Sequence, residues 1–263
     1  MTFTLIIILI ISGIVVGFIN TLSAGGTTIS IALYLALGIP AQTTNAINRV
    51  GVLIQNGFAS AVFYRKHVIN YRDIFLYALP VMLGSFIGSL LAIRIDETVF
   101  NICFAAVLLM MIIFLCFDRK KTTRTEKVFS LKNYLTAFPL FMVAGFYGGF
   151  VQAGTGFLLI AVISSVLGYD LVKTTAAKNT IMFLYTIVAL MVFTLRANIE
   201  IKYWIYGLIH SVGNVIGSYI ATHYALKKGN KFVKIVIIFV IILTALNLLG
   251  IIDIKIFFKN FID

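Results

Sequence analysis

Two cations stand where cations are costly. Arg49 and Lys178 each lie inside an otherwise apolar run, and each has an asparagine beside it: Asn48-Arg49 and Lys178-Asn179. Intramembrane Arg and Lys are rare and usually face an interior cavity. Their chemistry is anion recognition, by fixed positive charge with amide and hydroxyl neighbours. Thr44, Asn45, Thr174 and Thr175 supply those neighbours. The structural alternative is snorkelling, because each cation is only about 5–7 residues into its run and its long stem can reach the headgroups.

Two glycine-rich interruptions form the second candidate feature. The first reads Asn20-Thr21-Leu22-Ser23-Ala24-Gly25-Gly26-Thr27-Thr28, the second Gly148-Gly149-Phe150-Val151-Gln152-Ala153-Gly154-Thr155-Gly156. Broken backbone at membrane depth is tolerated only inside protein or against a wet cavity. A break also begins a half-helix, whose unpaired N–H groups and dipole attract anions. The structural alternative is that the glycines only permit close helix packing. The expected substrate-binding set is Asn20, Thr21, Gly25, Gly26, Asn45, Asn48, Arg49, Gln152, Gly154, Thr155, Lys178 and Asn179.

Other chemistries lack their residues. All nine carboxylates (Asp73, Asp96, Glu97, Asp118, Glu126, Asp170, Glu200, Asp253, Asp263) fall in loops, at run edges or in the tail. A proton or sodium relay normally uses buried Asp or Glu, so a carboxylate-coupled symporter is disfavoured. No G-x-x-x-x-G-K-[ST] suggests ATP drive. His210 lies within an apolar run and can bond a neighbouring helix; a metal role would need partners that the sequence does not offer. His67 sits in a basic loop and His223 at the end of a run. Cys103 and Cys116 share one apolar run and read as small apolar residues. The expectation is no enzyme, no cofactor and no metal.

These residues need lipid as their solvent. Of 263 residues, 61% are hydrophobic and only 11% charged, against roughly 25% charged in soluble domains. The excess of 21 Lys+Arg over 9 Asp+Glu gathers in short loops, the positive-inside pattern of a polytopic membrane protein rather than a nucleic-acid binder. The first apolar stretch has no basic leader region or small-residue cleavage site and is expected to be retained. Six runs meet the roughly 20-residue length of a span: 43–64, 72–92, 98–117, 174–194, 201–222 and 232–252. Two stretches, 4–38 and 134–168, are about 35 residues each, too long for one ordinary span, and hold the two breaks.

The chain repeats itself. Gly17-Phe18 recurs as Gly145-Phe146, Thr43-Thr44 as Thr174-Thr175, Val62-Phe63 as Val192-Phe193, and Ile87-Gly88-Ser89 as Ile216-Gly217-Ser218. Transmembrane repeats over 1–117 and 134–263 are therefore expected, joined by a basic cytoplasmic loop over 118–133. Two arrangements compete. If each interrupted stretch crosses once, the repeats are parallel; if each folds back as a hairpin, they are inverted. Loop charges barely choose. The arm 27–38 reaches only about 18 Å as helix, little over half of the roughly 30 Å hydrocarbon core. That favours an all-α polytopic membrane protein of two inverted repeats, each an interrupted or re-entrant helical hairpin plus three transmembrane helices, the plan of many secondary transporters.

The run Gly17-Phe18-Ile19-Asn20-Thr21-Leu22-Ser23-Ala24-Gly25-Gly26, with Gly38-Ile39-Pro40 and Asn45-Ala46-Ile47-Asn48-Arg49-Val50-Gly51, resembles the first half of the sulfite exporter TauE/SafE family. Gly145-Phe146-Tyr147-Gly148-Gly149-Phe150, Ala153-Gly154-Thr155-Gly156-Phe157, Thr175-Ala176-Ala177-Lys178-Asn179 and Gly213-x-x-x-Gly217-Ser218 resemble its second half. The resemblance implies a mostly bacterial, multi-pass inner-membrane permease for sulfite or organosulfonates such as sulfoacetate. Ser23-Ala24-Gly25-Gly26 replaces a longer glycine run, and Thr155 stands between glycines, so the anion is left open. The expected partners are a small anionic substrate and the bilayer; a homo-oligomer is left open. The alternatives are an anion channel and a non-transporting membrane assembly protein.

Overall fold

The computed structural model describes residues 2–23, 25–116 and 130–224, with the isolated positions 242, 246, 249, 251 and 252. Most of the expected 118–133 loop, the side chains of Cys116 and His223, and the 232–252 run as a continuous element lie outside the described residues. What is described is helical: α1 (Phe3–Ser23), α2 (Thr27–Ala36), α3 (Ala41–Arg65), α4 (Tyr71–Arg94), α5 (Glu97–Cys116), α6 (Leu131–Val151), α7 (Thr155–Leu167), α8 (Leu171–Arg196) and α9 (Ile201–Tyr224). The helix starts carry local signals. Pro40 precedes α3, and the Asn70, Ser130 and Asp170 side chains accept backbone N–H bonds at the starts of α4, α6 and α8, the usual capping role of such residues.

Both long stretches break. The first divides into α1 and α2, the second into α6 and α7. The Asn20 Oδ1 atom accepts from Thr27 N at 3.0 Å. Further along α2, the Tyr34 ring tilts against His210, whose carbonyl lies against Gly13 of α1. The chain has therefore turned back along α1. In the second hairpin, Leu159, Ile163 and Leu167 of α7 share a core with Ala137, Phe141 and Ala144 of α6. With 10 and 13 residues, α2 and α7 are about 15 and 20 Å long.

Packing pairs exchange between the halves. Helix α1 packs on α9 and α6 on α4; α3 packs on α8 and α9, and α8 on α3 and α4. By the sequence correspondence (α1 with α6, α3 with α8, α4 with α9), each contact maps onto another when the halves are swapped. The helices α3 and α8 run in opposite directions. Ser60 meets Thr180 at 2.8 Å where α3 ends and α8 begins, whereas Arg49 meets Phe193 at the reverse ends.

Glycines bring two of these pairs close. On α1 and α9, Gly13 and Gly17 face Gly213, Asn214 and the His210 carbonyl; a Cβ on Gly217 would overlap the carbonyl oxygen of Ile14. On α4 and α6, a Cβ on Gly84 would overlap the oxygen of Met142, and one on Gly149 that of Ser85. Backbone-to-backbone approach of this kind substitutes for the hydrophobic driving force that lipid does not provide.

The outside is apolar and the inside polar. Ile7, Ile11 and Val15 of α1 and Phe75, Leu79, Leu83 and Phe86 of α4 are exposed, while Asn45, Asn48, Arg49, Gln55 and Asn56 of α3 are buried. Among the described residues, four helical stretches are long and apolar enough to cross a membrane: Phe3–Thr21, Tyr71–Arg94, Leu131–Val151 and Val172–Arg196. The expected spans 43–64 and 201–222 form helices of 25 and 24 residues but are too polar to join that set. Their polar faces meet protein instead of lipid.

Candidate substrate site

The elements carrying the two cations lie at the centre of the bundle. Helix α3 opens with Ala41-Gln42-Thr43-Thr44-Asn45 and turns its 44, 45, 48 and 49 positions inward. The Arg49 guanidinium is 0% exposed. It donates to Gly148 O at 2.9 Å and Gly149 O at 2.6 Å, with Asn45 Oδ1 at 3.5 Å. Its carbon lies 4.8 Å from the Phe193 ring centroid, a cation–π distance. Lys178 of α8 is 1% exposed, and its Nζ donates to Asn20 O at 3.1 Å. Snorkelling is thereby excluded for both.

These contacts are related. Asn20 and Gly148 stand at equivalent positions, three residues after Gly17 and Gly145. Each is near the C-terminal end of the helix before its break, where carbonyl dipoles gather negative charge. Thus the cation of each half neutralises the helix end of the other. A second contact also recurs. Thr21 Oγ1 lies 3.0 Å from Ser218 Oγ, and in the other half Ser89 Oγ donates to Gly149 O at 3.2 Å.

The breaks themselves are tightly bonded. Asn20 Oδ1 accepts from both the N–H and the hydroxyl of Thr27. The Thr28 hydroxyl bonds Gly25 O, and Ile29 N bonds Gly26 O. In the second break, Thr155 N and its hydroxyl both bond Gln152 O, and Phe157 N bonds Gly154 O. The half-helix N–H groups of Thr27, Thr28, Ile29, Thr155 and Phe157 are therefore engaged internally, not held open as the sequence leads one to expect. Gln152 has φ 24°, a conformation unusual for a side-chain-bearing residue, and Gly154 has φ 74°. The turn at Gln152 aims its side chain inward: Oε1 accepts from Asn48 Nδ2 at 3.3 Å and Nε2 lies 3.4 Å from Thr186 Oγ1. Asn45 Nδ2 donates to Phe150 O at 2.8 Å.

The expected residues fall into three groups. Asn45, Asn48, Arg49, Gln152, Gly154 and Thr155 gather at the second break, and Asn20, Thr21, Gly25, Gly26 and Lys178 at the first. Asn179 stands apart chemically. It is 0% exposed, and neither its amide oxygen nor its nitrogen has a hydrogen-bond partner. Arg49 Nε and Gln55 Oε1 are likewise buried and unpartnered. Gln55 also donates to Thr21 Oγ1 at 3.4 Å. Gln55, Thr186, Ser218 and Phe193 were not in the expected set. The signal for Gln55 was available: it lies about two helical turns after Asn48, a polar residue in the same span. Only the crossing of α3 and α8 reveals Phe193. No described carboxylate is buried. Among the described residues the interior thus combines two cations, amides and hydroxyls without a buried carboxylate, and can hold negative charge.

Comparison with known proteins bears on what this interior serves. The family model for the sulfite exporter TauE/SafE family matches residues 9–248. A probable membrane transporter protein of Haemophilus influenzae is 29% identical over 245 residues, covering 92% of this chain and 93% of its own. A second, from Sinorhizobium, is 28% identical over 256 residues, covering 95% and 94%. A third, from Escherichia coli, is 25% identical over 226 residues, covering 85% and 82%. No solved structure matches the chain. With its helical spans, duplicated breaks and a family match running almost end to end, this chain belongs to the sulfite exporter TauE/SafE family of membrane transporters.

Proposed function

We propose that the chain is a secondary transporter of small sulfur-containing anions, sulfite or organosulfonates such as sulfoacetate, and exports them across the bacterial inner membrane. The observation that carries this reading is the pair of buried cations, Arg49 and Lys178, at the two breaks, in an interior where none of the described carboxylates is buried. Sulfonate and sulfite oxygens suit guanidinium, ammonium and amide donors. The unpartnered Asn179 amide and Arg49 Nε are donors that such an anion would satisfy.

Inverted repeats follow from the same reading. The opposite directions of α3 and α8, and the exchange of packing pairs between halves, support it. Hairpins entering from opposite faces put both tips near mid-bundle, the plan that alternating access uses. Export needs no further energy source in an inside-negative cell, where each leaving negative charge gains about 2.3 kcal/mol per 100 mV.

Purified protein is screened by thermal shift with sulfite, sulfate, sulfoacetate and taurine, and the stabilising anion is then tested for counterflow in proteoliposomes. A stabilising sulfur anion with saturable counterflow is expected. Flux without saturation or counterflow identifies a channel; the absence of any shift and any flux identifies a scaffold. Strictly electroneutral flux would count against potential-driven export.

A further inference from the structure

A second buried polar cluster lies one and two helical turns along α9 from Ser218. His210 and Asn214 are each 1% exposed, with Asn214 Nδ2 3.1 Å from His210 Nδ1. The Tyr34 ring of α2 tilts against the imidazole, 5.6 Å between centroids. Ser30 precedes Tyr34 by one turn. Each of the four carries a buried polar atom without a partner: His210 Nε2, Asn214 Oδ1, Tyr34 Oη and Ser30 Oγ. Unpaired buried polar groups are costly, and four on two facing helices call for an occupant.

The architecture does not require this cluster. At the equivalent joint of the other half, Gly145 lies against the Val81 carbonyl as Gly13 lies against that of His210. By the repeat correspondence, in which Ala24-Gly25 matches Ala153-Gly154, His210 becomes Val81, Tyr34 becomes Ile163 and Ser30 becomes Leu159. The same joint therefore closes with aliphatic residues, and Val81 is 0% exposed. On the His210 side, room is made for polarity. A Cβ on Gly51 would overlap Asn214 Nδ2.

The cluster is tied to the proposed site at two points. The next turn of α9 brings Ser218 to Thr21. Helix α2, which carries Tyr34, begins at Thr27, bonded to Asn20. Of the helices packed on α9, α1 has no titratable side chain. Helix α3 has Arg49, directed at Gly148 and Gly149, with Tyr64 and Arg65 at its exposed far end. Helix α2 presents Tyr34; on α9 itself stand Lys202, Tyr203, Tyr206 and Tyr219. No described carboxylate faces the imidazole.

We infer that His210 is a proton-binding site of the transport cycle, which takes a proton from one compartment in one position of the α1–α2 hairpin and releases it to the other compartment in the second position. In the unprotonated state Asn214 Nδ2 lies at His210 Nδ1; on protonation the Asn214 amide turns so that its unpartnered Oδ1 accepts from Nδ1–H, and the unpartnered Tyr34 Oη closes on Nε2–H. Histidine is the side chain suited to exchange a proton near neutral pH, and here it takes the part that buried carboxylates play in other carriers. The inference rests on the transport reading.

The test uses the full chain in proteoliposomes with sulfoacetate as the probe, comparing counterflow with net accumulation driven by a pH gradient of either sign. An entrapped pH dye follows the proton. The wild type is expected to accumulate sulfoacetate under one sign of gradient. His210→Gln is expected to keep counterflow within about twofold and to lose gradient-driven accumulation by about tenfold, because glutamine keeps hydrogen bonding without a titrating proton. If His210→Gln also loses counterflow, Tyr34→Phe decides: it should keep counterflow and accumulate less, and wild-type accumulation in it overturns the inference. Gradient-insensitive flux in the wild type, or undiminished accumulation in His210→Gln, overturns it too while leaving transport intact. Absence of counterflow with both sulfoacetate and sulfite overturns the transport reading and this one together.

Discussion

Lys178 Nζ donates to Asn20 O at 3.1 Å, joining α8 of one half to the end of α1 in the other. The partner is a backbone carbonyl at a helix end, where dipoles concentrate partial negative charge. The lysine therefore holds the hairpin tip and also brings a positive charge into the described interior, where no described carboxylate is buried. Either role alone would be lost differently on substitution.

Replacing Lys178 with Met keeps most of the side-chain volume and removes the charge. Transport of the stabilising anion is expected to fall at least about tenfold, equivalent to the loss of about 1.4 kcal/mol of interaction. The Asn20 O bond is lost with the ammonium, so thermal stability should fall as well, but by less than the tenfold loss of flux corresponds to. Near-normal flux with a lowered melting temperature would mean that the lysine only caps α1.

Arg49 is more demanding. Its two nitrogens serve Gly148 O and Gly149 O while its face lies on Phe193. A lysine is a point charge without the planar fork. Arg49→Lys is therefore expected to strand one carbonyl, at about 1–3 kcal/mol, and to lower both melting temperature and flux. A variant as stable and as active as the wild type would show that the fork geometry is irrelevant.

Asn179→Leu separates stability from activity. The amide is fully buried without partners, so replacing it with an apolar side chain of similar size should stabilise the empty protein by about 1 kcal/mol. The same change should abolish anion-dependent thermal shift. If the shift survives unchanged, Asn179 does not contact the anion.

The glycine joints should fail alike. A leucine at Gly217 collides with the Ile14 carbonyl, and one at Gly84 with that of Met142. Neither neighbour can yield, because both are backbone atoms within helices. Each variant is expected to lose monodisperse protein on extraction, judged by size-exclusion chromatography. A Leu at Val212, which is exposed, is the control and should behave like the wild type.

How much of this was legible in the sequence differs by residue. Arg49 and Lys178 could be marked from charge in an apolar run, and the breaks from glycine between long greasy arms. The inward polarity of α3 was legible at Asn45, Asn48 and Arg49, but its continuation through Gln55 and Asn56 was not marked. The expected free N–H groups at the breaks were not legible either. Whether a break leaves donors open depends on the turn itself, and here Asn20 Oδ1 and Gln152 O take them.

The sequence by itself determined the solvent, the recurring motifs and the chemical types present, because hydropathy, spacing and charge are properties of the chain order alone. Only the tertiary structure decided which groups meet. Arg49 and Lys178 reach the opposite half because α3 and α8 cross in opposite directions, bringing together residues 99 to 158 positions apart. The packing also leaves the Asn179 amide and His210 Nε2 buried without partners. Residue types cannot announce that, since satisfaction of a buried polar atom depends on distances that no linear pattern encodes.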